Sequence, residues 1–122
     1  MRVFLAENEY FIQQCVKGAA QLDGHEVLSF NKIDDCMHFF EDFNPDIVLL
    51  DVEIDSIDNL KKFCDEINQK FHIPIVMMHS KSFDKSMPSE KYFWLERPFD
   101  ISSLVANLED IIESFKDRGR NG

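Results

Sequence analysis

An α/β fold, with a parallel sheet covered by helices on both faces, is predicted by three features of this 122-residue sequence. Short apolar runs of strand length alternate with segments whose apolar residues recur every three or four positions. Three of the runs, "RVFLA", "DIVLL" and "IPIVMMH", are almost unbroken, as strands buried on both faces are. Helix-stopping residues, Asp23-Gly24 and Pro45, fall between the two kinds of segment.

In chain order, Arg2–Ala6 reads as the first strand. Ile12, Cys15, Val16 and Ala19 then mark a helix. Glu26–Phe30 is the second strand, and Ile33, Cys36, Met37 and Phe40 mark a second helix that ends before Pro45. Asp46–Leu50 is the third strand, and Leu60, Phe63, Cys64, Ile67 and Phe71 mark the third helix. Ile73–His79 is the fourth strand, with Pro74 tolerated near its start. Lys91–Leu95 is the fifth. Asp100 is placed to cap a last helix with the apolar face Ile101, Leu104, Val105, Leu108, Ile111, Ile112 and Phe115. The expected organisation is one domain over residues 1–116 and a frayed tail over 117–122, with no repeat and no linker.

Apolar residues make up 44% of the chain and charged residues 30%, as in ordinary globular domains, and 12 Phe point to an aromatic core. Residues 1–60 hold 13 acidic against 3 basic side chains; residues 61–122 hold 10 of each. A surface of that sign repels nucleic acid, so direct binding to it is not expected. No apolar stretch approaches a membrane span and no signal-peptide pattern opens the chain, so a cytoplasmic protein is expected. Cys15, Cys36 and Cys64 fit neither a disulfide framework nor a zinc motif and read as reduced, buried small hydrophobes.

The segment "DIVLLDVEID" crowds Asp51, Glu53 and Asp55 at the end of the most apolar run. Carboxylates held close repel one another, so either the side chains splay into water or something positive sits among them. In open parallel sheets ligands bind beyond the carboxyl ends of the strands. Glu7 and Asn8 follow the first strand, Asp51 ends the third, His79 and Ser80 end the fourth, and Arg97 follows the fifth. The loops after strands one and three thus bring Glu7, Asn8, Asp51 and Glu53 to one rim, where oxygen ligands suit a hard divalent cation such as Mg²⁺. Asp55 reads as a solvated loop residue.

Four pieces in order, "VFLAENE", "PDIVLLDVEI", "IPIVMMHS" and "WLERPFD", resemble the conserved strands of response-regulator receiver domains, the phospho-accepting modules of two-component signalling. The resemblance covers nearly the whole chain. It implies a flavodoxin-like sheet in the order 2-1-3-4-5. It places Asp51 at the phosphoacceptor position and Glu7, Asn8, Asp51 and the backbone carbonyl of Glu53 around Mg²⁺. It sets His79 where Thr or Ser meets the phosphoryl group, Arg97 where Lys stands, and Trp94 at the switch aromatic. A sensor histidine kinase or phosphotransfer protein would be the donor and an unidentified protein the output partner.

The departures carry their own expectations. Asn8 replaces an Asp, which weakens Mg²⁺ binding. His79 is bulkier than Thr and has no hydroxyl; Ser80 supplies one only if the strand end is bulged by a residue. Arg97 keeps the charge of Lys on a broad planar fork. The resemblance implies a cis Arg97–Pro98 bond. "KSFDKSMPSE" is short for the family, so the helix between the fourth and fifth strands is expected to be shortened or missing.

By this reading Asp51 is a nucleophile toward a phosphohistidine or acyl phosphate, and the protein is a phosphoacceptor, not an enzyme that turns over a separate substrate. The rival within the fold is a pseudo-receiver, a phosphorylation-independent interaction module. A haloacid-dehalogenase-type phosphatase requires a second Asp two positions after the first, where this chain has Glu53.

Overall fold

In the computed structural model, which describes residues 1–34, 36–80, 91–97 and 99–121, the apolar runs pair side by side. The strands are β1 (Arg2–Ala6), β2 (Glu26–Phe30), β3 (Ile47–Asp51), β4 (Ile75–His79) and β5 (Phe93–Glu96). All pairings are parallel, in the order β2-β1-β3-β4-β5. The helices are α1 (Tyr10–Leu22), α2 (Met37–Phe43), α3 (Ile57–Lys70) and α4 (Ile101–Asn121).

The two-residue period of a strand sends alternate side chains to opposite faces, and two cores result. Phe4, Ala6, Val48, Leu50, Ile75 and Met77 pack with Phe40 of α2 and Leu60, Phe63, Cys64 and Ile67 of α3. Val3, Leu5, Ile47, Leu49, Val76 and Met78 pack with Val16 of α1 and Leu104 and Leu108 of α4. Every residue of β3 and β4 is buried, which is why these runs carry no polar alternation. The expected aromatic core lies on the first face: the Phe4 ring meets Phe30, Phe40 and Phe63 at 5.2, 4.8 and 6.4 Å between centroids. Cys36 and Cys64 are buried and Cys15 is half-buried, and none of the three forms a disulfide among the described residues.

Local chemistry sets the element ends. Ser56 Oγ accepts from the Asn59 amide at 3.2 Å and caps α3. Asp100 Oδ1 accepts from the Ser102 amide at 3.0 Å at the start of α4, as its position in the sequence suggests. Asn44 closes α2 at φ 53°, the left-handed conformation Asn tolerates. Several bounds differ from those read in the sequence. α2 begins at Met37, because Ile33 and Cys36 are buried from the preceding turn. β4 begins after Pro74, which has no amide hydrogen to donate. β5 is displaced along the chain to end at Glu96. The tail read as frayed from residue 117 is helical to Asn121. The expected shortening or loss of a helix before β5 concerns residues 81–90, and the cis bond concerns Pro98; both lie outside the described residues.

Candidate functional site

The register of the three central strands brings the ends of β1 and β3 level: Ala6 pairs with Leu50, so the next residues, Glu7 and Asp51, stand side by side. On β4 and β5 the last pair is His79 with Glu96, so Arg97 emerges one position beyond. The Arg97 amide donates to the His79 carbonyl at 2.7 Å, which fixes where its side chain departs. Glu7, Asp51 and Arg97 continue the odd-numbered face of their strands, the side covered by α1 and α4.

These three side chains form one ionic cluster. Glu7 is fully buried and Asp51 is 4% exposed. Arg97 Nη2 donates to Glu7 Oε2 and lies 3.6 Å from Asp51 Oδ2. The other carboxylate oxygens are also engaged: Glu7 Oε1 accepts from the Glu9 amide at 3.0 Å, and Asp51 Oδ1 from the Glu53 amide at 3.0 Å. Arg97 Nε is a buried donor with no hydrogen-bond acceptor among the described residues. Burial, chiefly, pushes the Glu7 carboxyl up to about 7; Asp51 adds to the rise, against the Glu9 amide and Arg97.

His79 and Trp94 form a second unit. His79 ends β4 on the opposite face from the cluster, next to Met77 in alternation. Its ring is 6% exposed and edge-on to Trp94, with centroids 5.6 Å apart and planes at 76°. His79 Nδ1 lies 2.9 Å from the Ser80 carbonyl. The strand pairs without interruption from Ile75 to His79, so it carries no bulge that would advance Ser80 by one position. Trp94 is half-buried against the core of the α2 and α3 face.

Asn8 and the Glu53 side chain are exposed, and neither joins the ionic cluster. Among the described residues no three His, Cys, Asp or Glu side chains converge as a metal-ligand group. Mg²⁺ demands a near-octahedral oxygen shell at about 2.0–2.1 Å. The oxygens of Glu7 and Asp51 instead face a guanidinium and two backbone amides, so the arrangement does not fit the ion that the sequence suggests.

Two participants escape a reading of the sequence. Glu9 places Oε2 3.9 Å from Arg97 Nη1 at the rim, besides lending its amide to Glu7. Gln13, 6% exposed, donates from Nε2 to the Glu7 carbonyl and to Asn31 Oδ1, the latter at 2.7 Å. It ties the loop after β1 to the loop after β2. Its one signal is a polar side chain between Ile12 and Val16 on the apolar face of α1.

The chain is similar to known proteins over nearly its whole length. It is 28% identical over 115 residues to the response regulator protein GraR of Staphylococcus epidermidis, a match covering 91% of this chain and 51% of that protein. The chain thus spans about half the length of the curated relatives it matches. The receiver domain of NtrX from Brucella abortus superposes with a TM-score of 0.76 at 25% identity, covering 91% of this chain and 98% of that one. A CheY-like response regulator receiver domain protein from Methanospirillum hungatei superposes at 0.76 with 20% identity, covering 95% and 97%, a likeness of fold. No family model matches the chain.

Proposed function

Since the chain is a response-regulator receiver domain of two-component signalling, we propose that it accepts a phosphoryl group on Asp51 and relays the event by a change of conformation. One observation carries the reading: Asp51 closes the central strand with a guanidinium 3.6 Å from its Oδ2, and that guanidinium has a buried donor left over. A phosphoryl group on Asp51 would bring anionic oxygens that answer Arg97 Nε. Arginine matches phosphate geometry well, because its planar fork presents several donors at once.

In the transfer, a carboxylate oxygen of Asp51 attacks the phosphorus of a phosphohistidine or acyl phosphate. The new O–P bond forms as the bond to the donor breaks, and the leaving imidazole or carboxylate takes the electron pair. Arg97 offsets the charge on the equatorial oxygens and moves with them away from Glu7. The donor is a histidine kinase or phosphotransfer protein, and the output lies in another protein or in further chain. The domain is a phosphoacceptor, with no substrate of its own to turn over.

The test is intact mass after incubation with acetyl phosphate, wild type beside Asp51→Ala. One added phosphoryl group in the wild type, absent in the variant, is the expected result. An unmodified wild type, also after exposure to a histidine kinase, would leave the fold as a binding module without phosphotransfer.

A further inference from the structure

We propose that the Arg97 guanidinium is the resident cation of the acidic pocket and stands in for the divalent ion that a pair of buried carboxylates would otherwise take. The inference concerns the unphosphorylated pocket and does not rest on transfer of a phosphoryl group to Asp51.

The geometry supports it at each oxygen. Arg97 Nη2 reaches Glu7 Oε2 from one side and Asp51 Oδ2, at 3.6 Å, from the other. A divalent ion binding the same carboxylates would need these lone pairs, and it would have to lie beside a charge of its own sign. The two remaining oxygens each accept an amide hydrogen, Glu7 Oε1 from Glu9 and Asp51 Oδ1 from Glu53, both at 3.0 Å. Those amides belong to the turns that follow β1 and β3, so freeing the oxygens would require the turns to rearrange.

Charge balance points the same way. With both carboxylates ionised, they and the one guanidinium leave the pocket a single negative charge, with the exposed Glu9 3.9 Å from Nη1 at its edge. A dication added beside the guanidinium would turn that to a single positive charge around two carboxylates that are almost wholly buried. Asn8, exposed and uncharged, contributes no third carboxylate to offset it. One nitrogen, Nη2, serves the acids of both strands, and the planar fork adds Nη1 on the side of Glu9.

The proposal is tested by titrating the full chain with MgCl₂ at constant ionic strength, reading thermal midpoint and Trp94 emission. Wild type should show no saturable response in the low millimolar range. Arg97→Gln should expose the carboxylates and give a saturable response, tighter by about tenfold or more, since removing a like charge at contact distance removes its repulsion. Arg97→Lys, which keeps the charge but not the fork, should fall between them and serves if Arg97→Gln does not fold. Saturable binding by wild type as tight as that of either variant would overturn the proposal. So would the lack of any response in a folded Arg97→Gln chain, because the pocket would then have no cation to be spared. A failure of phosphotransfer to Asp51 bears on neither result.

Discussion

Glu7 carries a titration that reaches the stability of the whole domain. Its folded value, pushed up to about 7 by burial first and by Asp51 next, lies above its ordinary 4.5. The folded state therefore holds its proton more tightly than the unfolded chain. The corresponding stability is complete below about 4.5 and is lost as pH rises through about 7. At about 1.4 kcal/mol per tenfold change in proton affinity, roughly 1–3 kcal/mol is at stake. Glu7→Gln has no proton to lose. Urea unfolding at about pH 5 and about pH 8 should show wild type losing that amount relative to the variant; parallel profiles would contradict the assignment. Glu7, Asp51 and Arg97 were legible in the sequence because each stands within two residues of the end of an apolar run whose register the sheet fixes. Asn8 and Glu53 were legible only as neighbours in sequence. Once the strands end, the turn decides which side chain faces the cluster, and both face water. Glu9 and Gln13 act through an amide and a long amide side chain, which no spacing rule marks.

At the scale of elements, burial was easier to read than backbone. Ile33 and Cys36 recur with Met37 and Phe40 at helical spacing, and they are buried in the same core, yet they precede the helix. A side chain can meet a core from a turn as well as from a helix, so apolar spacing overstates α2 by one turn. Cys36 is held there by its own thiol, which donates to the Lys32 carbonyl at 2.9 Å. The strand order 2-1-3-4-5 came from resemblance; alternation of strand and helix alone establishes a parallel sheet, not its order. The start of α3 was missed for a different reason. Its first fully buried apolar residue is Leu60, a turn after the cap at Ser56, although Ile57 also packs against the core. That cap has a measurable role, because Ser56 Oγ satisfies the Asn59 amide, one of the orphan donors of a helix start. Ser56→Ala should lower stability by about 1 kcal/mol. Hydrogen exchange at the Asn59 amide should quicken more than at Phe63. Unchanged exchange at Asn59 would mean the hydroxyl does not cap the helix in solution.

Across the whole molecule, the ionic cluster and the aromatic pair lie on opposite faces of one sheet, and β4 and β5 connect them. The link is short: the Arg97 amide donates to the His79 carbonyl at 2.7 Å, and the His79 ring stands edge-on to Trp94. A phosphoryl group that draws Arg97 away from Glu7 would pull on the same junction. Trp94 is half-buried at rest, so its ring has surface left to bury against the α2 and α3 core. Completing that burial is worth about 1–3 kcal/mol before the entropy of ordering the side chain is set against it. On the proposed reading a second, more buried position of the ring would be close in free energy to this one, and a phosphoryl group would shift the populations only by its differential affinity for them. Phosphorylated wild type should show Trp94 emission moved to the blue, and Asp51→Ala should show no change under the same treatment. His79→Ala removes the ring between the two units. It should still take the phosphoryl group, while the shift in emission falls away. If mass confirmed the adduct in wild type and the emission stayed fixed, the aromatic pair would be a static part of the core. The signal would then have to leave through the α1 and α4 face, where Arg97 itself lies.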